Sequence, residues 1–153
     1  MPNLDNRIPP PLIAASAALL IGLLSFLPGH FPLPHGLRIA LMIVLFAMGI
    51  LLGIGGVIAF KRAQTTVNPL KPETASALVV GGVYQYSRNP MYTGLALWLV
   101  AWALYLDSVI ALAGVAVFVS YMTRFQIKPE ERAMQALFGA QFELYKARVR
   151  RWL

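Results

Sequence analysis

The polar residues with chemical potential fall in two places. The first is Gly82-Val83-Tyr84-Gln85-Tyr86-Ser87-Arg88-Asn89-Pro90-Met91-Tyr92-Thr93-Gly94, a turn-rich segment just before an apolar run. The second is Glu130-Glu131, directly after the next apolar stretch. A guanidinium can hold a carboxylate through paired hydrogen bonds, and carboxylates can pair with cations or accept from hydroxyls. Each signal also has a plain local explanation. Arg88 beside a bilayer can be a snorkelling anchor, and two glutamates at a helix start can cap the dipole. Neither is specific alone. Together they put one arginine and two carboxylates at the ends of neighbouring apolar segments.

Other chemistries are absent. The chain has no cysteine, which removes disulfides, thiolate nucleophiles and Cys metal sites. Its two histidines, His30 and His35, lie in a separate loop and read as interfacial residues rather than catalysts.

The elements that must position these residues are apolar. Of 153 residues, 58% are hydrophobic and 12% charged, whereas soluble domains carry about 25% charged residues. That surplus suits a surface facing lipid. The net charge of +7 sits beside the apolar runs, which reads as topology and anionic-headgroup contact rather than nucleic-acid binding. Residues 39–60 are uncharged between Arg38 and Lys61-Arg62, the strongest span signal in the chain. Gly49 and Gly53, with Gly56 beyond, suit close helix approach. Residues 12–27 form a shorter uncharged run ending at Pro28-Gly29; no small-x-small cleavage site follows, so a span is expected rather than a signal peptide. Residues 93–123 hold a single charge, Asp107, and are too long for one crossing. A turn at Asp107-Ser108 divides them into a tight hairpin, 93–106 and 109–123. Trp98, Trp102 and Tyr105 serve either as interfacial anchors or in ordinary packing.

Between the second and third runs, residues 61–92 read as a long interfacial loop broken at Pro69, Pro72 and Pro90, with a short turn near residues 74–80. Residues 129–150 read as a separate amphipathic helix starting at Pro129, with Lys146, Arg148, Arg150 and Arg151 at its far end. The expectation is an all-α polytopic membrane protein, one domain over residues 1–153. It has about four transmembrane helices, two of them within residues 1–60, the last two a tight hairpin, plus a cytoplasmic C-terminal helix. Four spans leave Arg38 alone on one side and every other Lys and Arg on the opposite one. The positive-inside rule makes that side, with both termini, cytoplasmic, as in a bacterial inner membrane. Oligomeric state is open.

The pattern G-V-Y-x-Y-x-R-N-P-M-Y-x-G, a hairpin, then E-E, F-G and Y-x-x-R-V resembles the isoprenylcysteine carboxyl methyltransferase and phospholipid methyltransferase superfamily. The resemblance covers about residues 78–152. The first motif there usually reads R-H-P-x-Y; here it reads Arg88-Asn89-Pro90-Met91-Tyr92, a departure that bears more on the prenyl-protein branch than on the superfamily. The resemblance implies a membrane methyltransferase acting on a lipophilic acceptor, a prenylcysteine-like carboxylate, a thiol or a lipid. It implies S-adenosylmethionine as cofactor, enclosed by Tyr84, Tyr86, Arg88, Asn89, Pro90, Tyr92, Gly94, Glu130 and Glu131. Arg88 and Glu131 would take part in catalysis, with Arg148 matching the family's late arginine near the substrate. The rival readings are a non-catalytic binding or assembly module of the same fold, and a reductase of the sterol-reducing type.

Overall fold

The computed structural model describes residues 5–65 and 68–153. Residues 1–4 of the expected cytoplasmic N-terminus and residues 66–67 of the expected loop lie outside the described set. Helices dominate, and no strand occurs among the described residues. Five α-helices follow in order: α1 (Pro10–Leu24), α2 (His35–Arg62), α3 (Pro90–Tyr105), α4 (Leu112–Tyr121) and α5 (Lys128–Arg148). Prolines open α1 and α3, where a missing N–H costs no helical hydrogen bond.

The first four helices run up and down. Their connections meet in pairs at two ends. At one end, Asp107 accepts from the Phe31 amide at 3.2 Å and pairs with Arg38, and Val109 donates to Gly29 O at 3.1 Å. At the other, Asn6 donates to Phe125 O and Arg132 pairs with Asp5 at 2.6 Å. The expected turn at Asp107-Ser108 is there. Asp107 takes a left-handed φ of 56°, and Ser108 Oγ accepts the Ala111 amide.

Helices α2 and α3 approach most closely where glycine faces glycine. A Cβ on Gly94 would stand 2.7 Å from Gly49 O, and one on Gly49 would meet Gly94 O at 2.8 Å. Gly56 receives Met91 in the same way, but Gly53 has nothing within 4 Å and opens onto a cavity instead of a neighbour. Trp98 stacks on Phe46 and donates to Phe46 O at 3.0 Å; Trp102 donates to Ala18 O at 3.2 Å. Both indoles therefore tie helices together. Ile21, Leu99, Phe118, Met122 and Ile127 fill the core between α1, α3 and α4.

The C-terminal helix differs from expectation. It does not start afresh at Pro129. A π-helical stretch, Met122–Ile127, joins α4 to α5 without a break. Pro129 cannot donate to the carbonyl four residues back. That carbonyl belongs to Phe125, and it accepts Asn6 N at 3.0 Å instead. The wider turn spares the proline ring a clash with that carbonyl and keeps the helix running. Gly139, at φ 47°, kinks α5 further on, and Val149 leaves it in extended conformation. In the loop, the short turn falls at Pro72–Thr74, with a second at Gly82–Gln85.

Helix α2, at 28 residues, is the one described helix long and apolar enough to cross a membrane; α1 and α3 are apolar but shorter. Much of α2 faces outward, with Leu51 67% and Ile43 57% exposed. An apolar surface of this kind marks a contact with lipid or protein.

Candidate functional site

The segment before α3 is assembled by the chain's own tail. Gly82, at φ 61°, opens the 3₁₀ turn that buries Tyr84, whose ring meets the edge of Phe60 at 5.5 Å. The carbonyl of Tyr84 accepts Tyr145 OH from α5 at 2.7 Å. Four residues on, the Arg88 amide donates to Arg150 O, and Asn89 Nδ2 donates to Arg151 O at 2.8 Å. Pro90 then starts α3, which carries Tyr92 and Gly94 inward.

The two glutamates sit at the start of α5 and meet this segment. Arg88 Nη2 donates to Glu131 Oε1 at 2.7 Å, and Arg151 reaches the same carboxylate through Nε at 2.9 Å and Nη2 at 2.7 Å. Tyr92 OH donates to Glu130 Oε1 at 2.6 Å. Gln126 Nε2 donates to that same oxygen at 2.6 Å and to Pro69 O of the loop at 2.8 Å. Arg88 Nη1 also reaches the Lys146 and Val149 carbonyls, while its Nε is buried without a partner.

These contacts surround a cavity of about 480 Å³, within the range of small-molecule sites. Its polar end is formed by Arg88, Asn89, Glu130 and Glu131, with Tyr84, Tyr92, Phe142 and Tyr145 presenting aromatic surface. Its apolar part runs along Gly49, Gly53 and Val57 of α2 and Leu95 and Trp98 of α3.

Electrostatics separate the two carboxylates. Burial pushes Glu130 up to about 7, with the hydrogen bonds from Gln126 and Tyr92 pulling against it and the charge of Glu131 adding to it. Burial acts upward on Glu131 too, but the Arg151 hydrogen bonds and the charges of Arg88 and Arg151 outweigh it. The Glu131 carboxyl is held below its ordinary value. Burial also keeps the phenols of Tyr84 and Tyr145 protonated well beyond their usual range.

Of the residues singled out from the sequence, Tyr84, Arg88, Asn89, Tyr92, Gly94, Glu130 and Glu131 line the one cavity. Tyr86 does not; it is 75% exposed. Pro90 is buried behind the wall as the first residue of α3. Arg148 lies on the outer side of α5, its Nε donating to Leu144 O one turn back, and Arg151 instead reaches the carboxylate. Two further residues of the site had no role assigned from the sequence. Gln126 stands four residues before Glu130, a same-face helical spacing, but a helix start assigned to Pro129 hid it. Arg151 was visible only as one of several basic residues near the chain end.

The chain belongs to the phospholipid methyltransferase family, which it matches over residues 37–141. That stretch takes in α2 to most of α5 and so extends upstream of the motif-bearing half. The chain is similar to an uncharacterized protein of Haemophilus influenzae, 43% identical over 63 residues, which are 41% of this chain and all of that protein. It is also similar to Protein-S-isoprenylcysteine O-methyltransferase B of Arabidopsis thaliana, 30% identical over 107 residues, 70% of this chain and 54% of the plant protein. The chain thus spans about half the length of that plant relative. No solved structure matches it.

Proposed function

We propose that this protein is a multi-pass membrane methyltransferase that uses S-adenosylmethionine to methylate a lipophilic acceptor. The observation that carries the proposal is the meeting of residues 88–94 with Glu130 and Glu131 around one cavity that is polar at one end and apolar along the other. Family membership supports methyl transfer as the reaction class.

The residues fit such a cofactor. Arg88 lines the cavity with a buried Nε that has no protein partner, a donor suited to the amino-acid carboxylate. The faces of Tyr84, Tyr92, Phe142 and Tyr145 suit an adenine and a cationic centre. Bound there, the cofactor supplies a methyl group activated on a sulfonium. Methyl transfer is an in-line displacement, so alignment and exclusion of water make up most of the protein's contribution. Glu131 serves by fixing Arg88 and Arg151 across the polar end. The groove along Gly49, Gly53 and Val57, with Trp98 opposite, takes the acceptor's apolar part.

In this reading α1, α3 and α4 with its π-helical extension cross the bilayer beside α2, and α5 continues on the cytoplasmic side. Both termini and the cavity's polar end lie on the cytoplasmic side, because Arg38 is the lone basic residue at the other end of the bundle. The membrane is a bacterial inner membrane, its lipids the immediate partners.

Calorimetry of the purified protein with S-adenosylhomocysteine tests the proposal. Binding that Glu131→Ala weakens at least tenfold is expected. No heat from wild type, together with no deuteriomethyl transfer to any lipid or thiol in membrane extracts, would remove the reading.

A further inference from the structure

The neighbouring glutamates are satisfied in opposite ways. Both oxygens of Glu131 are taken, Oε1 by Arg88 and Arg151 and Oε2 by Arg151. Glu130 receives both of its donors, Tyr92 OH and Gln126 Nε2, on Oε1. No described protein group donates to Glu130 Oε2, and Glu130 lines the cavity. The titratable groups facing it are Tyr92 from α3, Tyr84 from the 3₁₀ turn and Glu131 on α5, with Arg88 and Arg151 beyond Glu131. The loop contributes the Pro69 carbonyl through Gln126, while Lys71 and Glu73 point to the exterior. Both nearby guanidiniums are bonded to Glu131, so among the described residues no cation is hydrogen-bonded to Glu130.

Resting on the methyltransferase reading above, we propose that Glu130 is the proton acceptor of the reaction, ionised opposite the donor's sulfonium and protonated as the methyl group is transferred. The acceptor gives its proton to Glu130 Oε2. The lone pair so freed forms the bond to the methyl carbon, and the carbon–sulfur bond breaks with its electron pair remaining on sulfur. A sulfonium and a carboxylate become a thioether and a carboxylic acid, both neutral. In a cavity shielded from water, a carboxylate left without its counter-charge is costly, so losing both charges in one event favours the forward direction. Glu131, locked by two arginines, cannot do this. The acceptor is then a nucleophile that arrives protonated, a thiol or an ammonium, rather than a carboxylate with no proton to give.

Proton release on ligand binding reads this without turnover. Sinefungin carries an ammonium at the sulfonium position, whereas S-adenosylhomocysteine has a neutral thioether there. Each is titrated by calorimetry into the full chain at pH 7, in two buffers of different ionisation enthalpy. A carboxyl that titrates near 7 is about half protonated at this pH, so sinefungin should release about half a proton more than S-adenosylhomocysteine. The difference should vanish in Glu130→Gln. In Tyr92→Phe, which removes one donor from Oε1, it should move to higher pH, and this variant decides the matter if Glu130→Gln fails to fold. Equal proton counts for the two ligands in wild type, or a difference that survives in Glu130→Gln, would overturn the inference while leaving the methyltransferase reading in place. Failure of sinefungin alone to bind wild type would overturn the inference, and failure of both nucleosides would count against the methyltransferase reading as well.

Discussion

Arg151 grips Glu131 at two points, Nε on Oε1 at 2.9 Å and Nη2 on Oε2 at 2.7 Å, and so fastens the end of the chain to the first turn of α5. The same tail holds the Arg88 segment, since Arg150 O and Arg151 O accept from Arg88 N and Asn89 Nδ2. One short extended piece therefore fixes both halves of the site. Hydrogen bonds to charged groups contribute about 1.5–3 kcal/mol, and Arg151 is a third exposed, so about 1–2 kcal/mol is expected here. Arg151→Ala should weaken S-adenosylhomocysteine binding roughly tenfold, with Arg151→Lys intermediate because an ammonium cannot make the two-point contact. The loss should exceed that of Arg148→Ala. Equal losses from the two alanine variants in calorimetry would contradict the geometry.

The glutamate pair makes stability depend on pH in two opposite senses. Glu131, held below its ordinary value, contributes stability above about pH 4.5 and loses it as pH falls through its folded value. Glu130, raised to about 7, contributes its full share only below about pH 4.5 and loses it as pH rises through 7. The Glu130 share is on the order of 3 kcal/mol. Thermal unfolding in detergent should thus show the midpoint declining between about pH 5 and pH 8. Glu130→Gln should flatten that decline, and Glu131→Gln should not. A flat wild-type profile over this range would refute the assignment.

Why some of this was legible in the sequence and some was not follows from the range of the interactions. Helices α2 and α3 were readable because uncharged runs bounded by charge or proline are local signals. The turn at Asp107 was readable for the same reason, as the one charge in a long apolar stretch. That the Arg88 segment and the two glutamates enclose one site was implied by a resemblance linking two motifs far apart in sequence, but the direct pairing of Arg88 with Glu131 was not foreseen. The π-helical join was hidden, since a proline after Lys128 suits a helix start as well as a widened turn, and only the distant Asn6 amide on Phe125 O decides between them. Gly53 was misread for a related reason. Its spacing from Gly49 suits helix packing, but whether a partner is there depends on how α3 crosses, and the crossing is set at Gly49 and Gly94.

That crossing yields a third prediction. A methyl at Gly49 would press on both the Trp98 indole and the Gly94 carbonyl, and one at Gly94 on the Gly49 backbone. Backbone cannot yield as a flexible side chain would, so Gly49→Ala or Gly94→Ala should cost about 1–3 kcal/mol. Gly53→Ala meets open space and should leave the unfolding midpoint nearly unchanged. Midpoints measured in one detergent for the three variants check the ranking. A Gly53→Ala loss as large as that of Gly49→Ala would show that the cavity wall is drawn wrongly.

At the far end of the bundle, Asp107 accepts the Phe31 amide, pairs with Arg38 and stands 3.4 Å from His30 Nδ1. Only 11% of the Arg38 side chain is exposed, against 32% for Asp107. Removing the acid leaves a largely buried guanidinium without its counter-charge, a loss of about 2–4 kcal/mol after allowing for the partial exposure of Asp107. The glutamate site lies at the opposite ends of these helices, so the effect should be confined to folding. Asp107→Ala should lower the unfolding midpoint sharply while the folded fraction binds S-adenosylhomocysteine with wild-type affinity. Adding Arg38→Met should restore part of the midpoint, because the double variant no longer buries an unpaired charge. If Asp107→Ala instead weakens ligand binding without lowering the midpoint, the two ends of the bundle are coupled and the separation drawn between clamp and site is incorrect.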